Sequence, residues 1–204
     1  MATIDIDVVS NGPTSDVAIL KVREMLPGSV VAINIIGMVE SIEARVGGGD
    51  KIGRLRIFGH GAPGLACVGS VPSGVTLDNG DDILSRHSLR TIRIVERSIP
   101  EQAGGSVTRP KFSLLNELPL SQLQSKFART GWAELHVCRV AEQEIGKQLL
   151  KALARLWRVR VAGGTGEQIA GGGLENSVFV ASPTGSVTRR VPPSARTGGC
   201  SVSF

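Results

Sequence analysis

The run SVVAINIIG, residues 29–37, has no polar face. An apolar, β-branched stretch of this length reads as a strand covered on both sides, the pattern of a parallel sheet buried under helices. Such a sheet needs a crossover helix between successive strands, and the chain supplies them in turn. TIDIDVV (3–9) alternates and reads as a first strand, and a helix follows from about Ser15 to Met25 with Asp16 in its first turn. Residues 38–46 read as a short helix stopped by Gly47, Gly48 and Gly49, and GRLRIFG (53–59) as the third strand.

Further along, GLACVG and GVTLD form an expected small hairpin, residues 81–97 keep a rough helical spacing, and SIPEQAGGSVTRPKF (98–112) reads as an exposed loop. A helix over 119–130, a strand at AELHVC (133–138) and an amphipathic helix over 142–157 with Ile145, Leu149, Leu153 and Leu156 on one face come next. RVRVAGG (158–164) is the next strand, and SVFVASPTGSVTRRV (177–191) a hairpin around Pro183, Thr184 and Gly185. The expected architecture is α/β: a mainly parallel central sheet with helices on both faces and a small C-terminal hairpin. We expect one domain over 1–192 with an inserted region at about 78–130, then a tail over 193–204.

Composition limits the setting. Three cysteines at wide spacings, Cys67, Cys138 and Cys200, suggest neither a disulfide framework nor a zinc ribbon, and a reducing, cytoplasmic compartment is expected. Asp5 and Asp7 interrupt the first apolar stretch, so it does not read as a signal-peptide core, and no run reaches membrane-spanning length. The net charge is +5, yet the basic residues are scattered and no nucleic-acid motif is present, so neither a nucleic acid nor a membrane is the expected partner.

In parallel sheets ligands meet the chain just beyond the carboxyl ends of the strands. His60 and Cys138 both fall there. An imidazole that accepts a thiol's proton makes the sulfur a nucleophile towards an electrophilic carbonyl. Gly59, Gly61 and Gly64 would let the backbone turn tightly around His60 and leave space for a substrate carbonyl, with the N–H groups of Gly61 and Cys138 as oxyanion donors. His136, two residues before Cys138, reads as a packed or sheet-edge histidine rather than the base, and His87 as solvent-facing. A metal site from His60, Cys67, His136 and Cys138 lacks zinc-like spacing.

RIFGHGAPG followed by LHVCRVAEQEIGKQLLKAL resembles the caspase-like cysteine peptidases, the group of caspases, gingipains, separases and bacterial CHAT-type proteases. There a strand ends in His-Gly and a later strand ends in the nucleophilic cysteine before a helix. The resemblance implies a three-layer caspase-like sandwich, a His60/Cys138 dyad, peptide-bond hydrolysis through an acyl-enzyme, and no cofactor. The partners it implies are a protein or peptide substrate and an activating protein. HVCRVA stands where caspases carry their own cysteine signature, so specificity for aspartate does not follow. A basic P1 residue would need a carboxylate, for which Asp5, Asp7, Asp16 and Glu167 are the candidates. Arg97 or Lys111 would be the self-processing position, since Arg109 precedes a proline. Two alternatives stand beside the peptidase: a non-catalytic binding or adaptor domain with Cys138 as a core thiol, and a phosphate- or nucleotide-binding module using GGTGEQIAGGG (163–173), which fits neither common phosphate-loop pattern.

Overall fold

The computed structural model describes residues 2–11, 16–68, 83–85, 119–168, 174 and 177–189. Along them run β1 (Thr3–Ser10), α1 (Val17–Met25), β2 (Val30–Ala32), α2 (Ile35–Arg45), β3 (Lys51–Phe58), β4 (Gly61–Ala62), β5 (Leu65–Cys67), β6 (Ile83–Ser85), β7 (Phe127–His136), α3 (Gln143–Trp157), β8 (Arg160–Gly164), β9 (Val178–Ala181) and β10 (Val187–Arg189). The fold is α/β around a seven-stranded sheet in the order β10-β9-β8-β7-β3-β1-β2. Strands β2, β1, β3, β7 and β8 pair in parallel, while β9 and β10 run antiparallel at one edge and form the expected hairpin. No described helix is long and apolar enough to cross a membrane.

The side-chain period of two sorts each strand onto two faces. Ile6, Val8, Leu55, Ile57, Ala133, Leu135 and Val161 lie in one cluster with α2 and α3, whereas Val9 and Phe58 lie with Ile19 and Val22 of α1. Strand positions adjacent in sequence therefore serve opposite layers. The second face also carries ion pairs: Asp7 grips Arg56 in a bidentate pair at 2.5 and 2.6 Å, and Asp5 meets Arg54 at 2.7 Å. Alternation of Asp with Ile in TIDIDVV is thus a charged lane beside an apolar one.

Three element assignments differ from the sequence reading. The strand expected over 29–37 stops at Ala32, because the side chain of Asn34 accepts the N–H of Gly37 at 2.7 Å and caps α2, turning Ile35 from a strand residue into a fully buried helix residue. The helix expected over 119–130 gives way after a turn at 119–122 and the short helix Leu123–Ser125 to β7, which starts at Phe127. That early start requires a bulge: Ile52 pairs with Phe127 but Arg54 pairs with Trp132, so polar residues of FARTGW are accommodated between the pairs. Residues 83–85, expected in a helix, are β6 instead and pair antiparallel with β5 in a second sheet ordered β4-β5-β6. GLACVG thus pairs with ILS, while GVTLD, the loop 98–112, the tail 193–204 and the boundary at 192 lie outside the described residues.

Candidate active site

The site is built on the pairing of β3 with β7. Their register runs Leu55 to Ala133, Ile57 to Leu135 and Phe58 to His136. His60 and Cys138 each lie two residues beyond the last pair, so they leave the sheet side by side at its carboxyl rim, on strands spaced about 4.8 Å apart. The turns that carry them touch. A methyl group placed on Gly61 would fall 2.9 Å from the carbonyl oxygen of Cys138 and 2.9 Å from Val137 Cβ, and Gly64 N–H donates to Val140 O at 3.1 Å.

The turn after β7 is held tightly. Arg139, next to the sulfur, adopts a left-handed conformation with φ 57°, sparsely populated for a residue with a side chain. Its N–H donates to Gly166 O at 2.8 Å and that of Ala141 to Gly164 O at 2.9 Å, pinning the turn to β8 and the segment after it. Gly146 in the first turn of α3 is buried against Val140 O, so the helix seats directly on this turn. A strained residue fixed by its surroundings beside a reactive atom is a recurring property of functional turns.

Cys138 is a free, partly buried thiol. The N–H of Gln168 points at Sγ from 3.4 Å. Burial pushes the thiol above its ordinary range, the Gln168 N–H works against that shift, and the negative charge of Glu167 adds to it. Of the candidate P1 carboxylates Glu167 is the one that contributes to that shift, the smallest of its causes, in keeping with its exposed position.

His60 is half exposed, and its Nε2 lies 2.5 Å from Asp16 Oδ2. The other oxygen of Asp16 accepts the N–H of Ile19 at 3.2 Å, as the N-cap of α1. Sequence reasoning placed Asp16 in the first turn of a helix and among the substrate carboxylates; in the fold its partner is His60. The signal lay in the topology, because β1 is the strand beside β3, and the segment leaving β1 reaches the same rim.

Other candidates fall elsewhere. Asp7 is committed to Arg56 within the sheet face and does not reach the rim. Gly59 is buried with the carbonyl of Cys67 occupying the place of a side chain, so its lack of a Cβ serves close backbone packing and leaves no space for substrate, a correction to the open-space reading. Of the glycines around His60 only Gly64 needs a positive φ, 73°. Gly61 pairs with Ala66, and the bond from Cys67 N–H to His60 O makes that a non-hydrogen-bonded pair, with the Gly61 N–H directed away from β5.

His136 is buried in the sheet interior, with Nε2 2.7 Å from Glu134 Oε2 and its ring stacked on Phe58 at 4.5 Å between centroids. It belongs to the packing beneath the rim. Among the described residues no cluster of three or more His, Cys, Asp or Glu gathers that could hold a metal ion. An open depression of about 450 Å³ lies at the amino ends of the strands, lined by Asp5, Gly53, Arg54, Thr130, Trp132 and Arg160, away from both His60 and Cys138. His87, Arg97, Arg109, Lys111 and Cys200 lie outside the described residues, as do residues 169–173 of the glycine-rich stretch. No protein-family profile, curated protein or solved structure matches the chain.

Proposed function

We propose that the chain is a cysteine endopeptidase with a three-layer caspase-like fold, acting through Cys138 as nucleophile and His60 as general base and acid. The observation that carries this reading is the β3–β7 register, which delivers an imidazole and a thiol from distant parts of the sequence to one rim on neighbouring strands. As Cys138 Sγ bonds to the scissile carbonyl carbon, its proton passes to His60. Collapse of the tetrahedral species breaks the C–N bond and returns that proton to the leaving amine. Water then attacks the thioester with His60 as base, releasing the acid and restoring the thiol. The N–H groups of Gly61 and Cys138 are the oxyanion donors, and no metal or organic cofactor enters these steps. Glu167 would favour a basic P1 residue, and the compartment is a reducing, cytoplasmic one.

A second reading, a non-catalytic binding or adaptor domain, draws on one observation: burial, with a smaller contribution from Glu167, pushes the thiol above its ordinary range although the Gln168 N–H works against that shift. In the peptidase reading the same observation calls for activation, in which an activating partner or self-processing re-seats residues 165–168. Wild type and Cys138→Ala are to be treated with a peptidyl acyloxymethyl-ketone carrying Arg or Lys at P1 and with fluorogenic peptides. The expected result is a covalent adduct on Cys138 and peptide cleavage in wild type alone. Equal cleavage by both proteins, or no adduct even with a bound activator, would sink the peptidase.

A further inference from the structure

Asp16 links two elements that the reaction needs in fixed relation. One carboxylate oxygen accepts the N–H of Ile19 and anchors Asp16 to the start of α1; the other lies 2.5 Å from His60 Nε2. The side chain of Asp16 is 12% exposed whereas that of His60 is 49% exposed. A well-packed carboxylate, anchored at the start of α1, thus holds the more exposed imidazole. We infer that Asp16 is a positioning residue for His60, an inference that rests on the peptidase reading. By accepting the hydrogen bond from Nε2–H it selects the tautomer in which Nδ1 is the basic nitrogen, and it fixes the ring plane relative to the rim.

The proton then follows a defined route. Nδ1 takes the proton of Cys138 Sγ as the S–C bond forms, giving an imidazolium whose two N–H groups are divided between Asp16 and the reaction centre. Nδ1–H gives its proton to the amine as the C–N bond breaks, and Nδ1 later takes one proton from the attacking water. Asp16 stays a carboxylate throughout and touches no reacting atom, which separates its role from that of His60. The same logic of a carboxylate orienting an imidazole operates in serine hydrolases, where converting the carboxylate to an amide imposes the wrong tautomer.

The substitutions are Asp16→Asn and Asp16→Ser. Both keep an N-cap for α1, so the helix start is preserved while the charge, or the reach, is lost. The first readout is the ¹⁵N spectrum of His60 in a Cys138→Ala background, assigned with His60→Gln. The expected result is Nε2–H with Asp16 present and a shift towards Nδ1–H in Asp16→Asn. The second is peptide hydrolysis, in which kcat is expected to fall by about 10²–10⁴-fold with KM little changed. Unchanged tautomer and unchanged kcat in an active protein would overturn the positioning role and leave the dyad standing. A tautomer shift in a protein whose wild type never cleaves peptide would overturn the peptidase, and this catalytic role with it.

Discussion

At the scale of single residues the sulfur of Cys138 is the most informative group. Burial raises its pKa, and the neighbouring Glu167 raises it further. Only the thiolate alkylates, so in the unactivated protein the iodoacetamide rate at Cys138 should keep climbing as pH rises beyond about 8.5, the range of an ordinary thiol. Glu167→Gln removes one of the raising causes, and at pH 8 it should speed alkylation about two- to fivefold, a modest factor because Glu167 is exposed and screened. A rate unchanged by this substitution would mean that the Glu167 charge does not reach the sulfur. The sign for stability follows: the raised pKa contributes stability below the unfolded thiol's value that is lost as pH climbs through the folded one, and Cys138→Ala should flatten that alkaline decline. His60 and Cys138 were legible in the sequence because strand ends of a parallel sheet are where reactive groups collect. The link from Asp16 to His60 was not, since Asp16 reads as a first-turn helix residue and a candidate substrate carboxylate, and only strand order shows which imidazole lies across from it.

Among the elements α3 carries the clearest sequence signal and shows where such a signal misleads. Of the stripe read from EQEIGKQLLKALARLW, Leu149 and Leu153 are fully buried, Leu156 packs at the margin of the core, and Ile145 remains 50% exposed, resting on Gly64 near the rim. Helical periodicity identifies a face but not where the underlying sheet ends. Leu153→Ala should therefore cost about 2–5 kcal/mol, while Ile145→Ala should cost about 1 kcal/mol or less, measured as shifts in urea midpoint at constant slope. Equal costs would contradict the depth assigned to the two positions. The misread boundaries share a cause with this one. A continuous apolar run concealed the Asn34 cap, a local side-chain bond that ends the strand and starts α2, and the polar residues of FARTGW concealed a bulged strand, because there tertiary pairing with β3 overrode local pattern.

Across the whole molecule the sheet order was only partly foreseeable. Alternating strands and helices predict a parallel sheet, but not that β7 would insert beside β3, which depends on pairings made far apart in the chain. The contacts between the halves are extensive: β3 and β7 share a ladder, and Ile57 and Leu135 lie in one core cluster with α2 and α3. Continuity of the backbone between Cys67 and Leu120 therefore contributes little to keeping His60 and Cys138 together. A specific protease site introduced within residues 98–112 and then cut should yield two fragments that co-elute in size exclusion and unfold in one transition; separation without denaturant would refute this. A severed molecule of this kind keeps its ladder, so a cut made by the protein itself or by a companion would leave the β3–β7 pairing and the rim it carries in place, and one chain would exist lawfully as a heterodimer of its own halves.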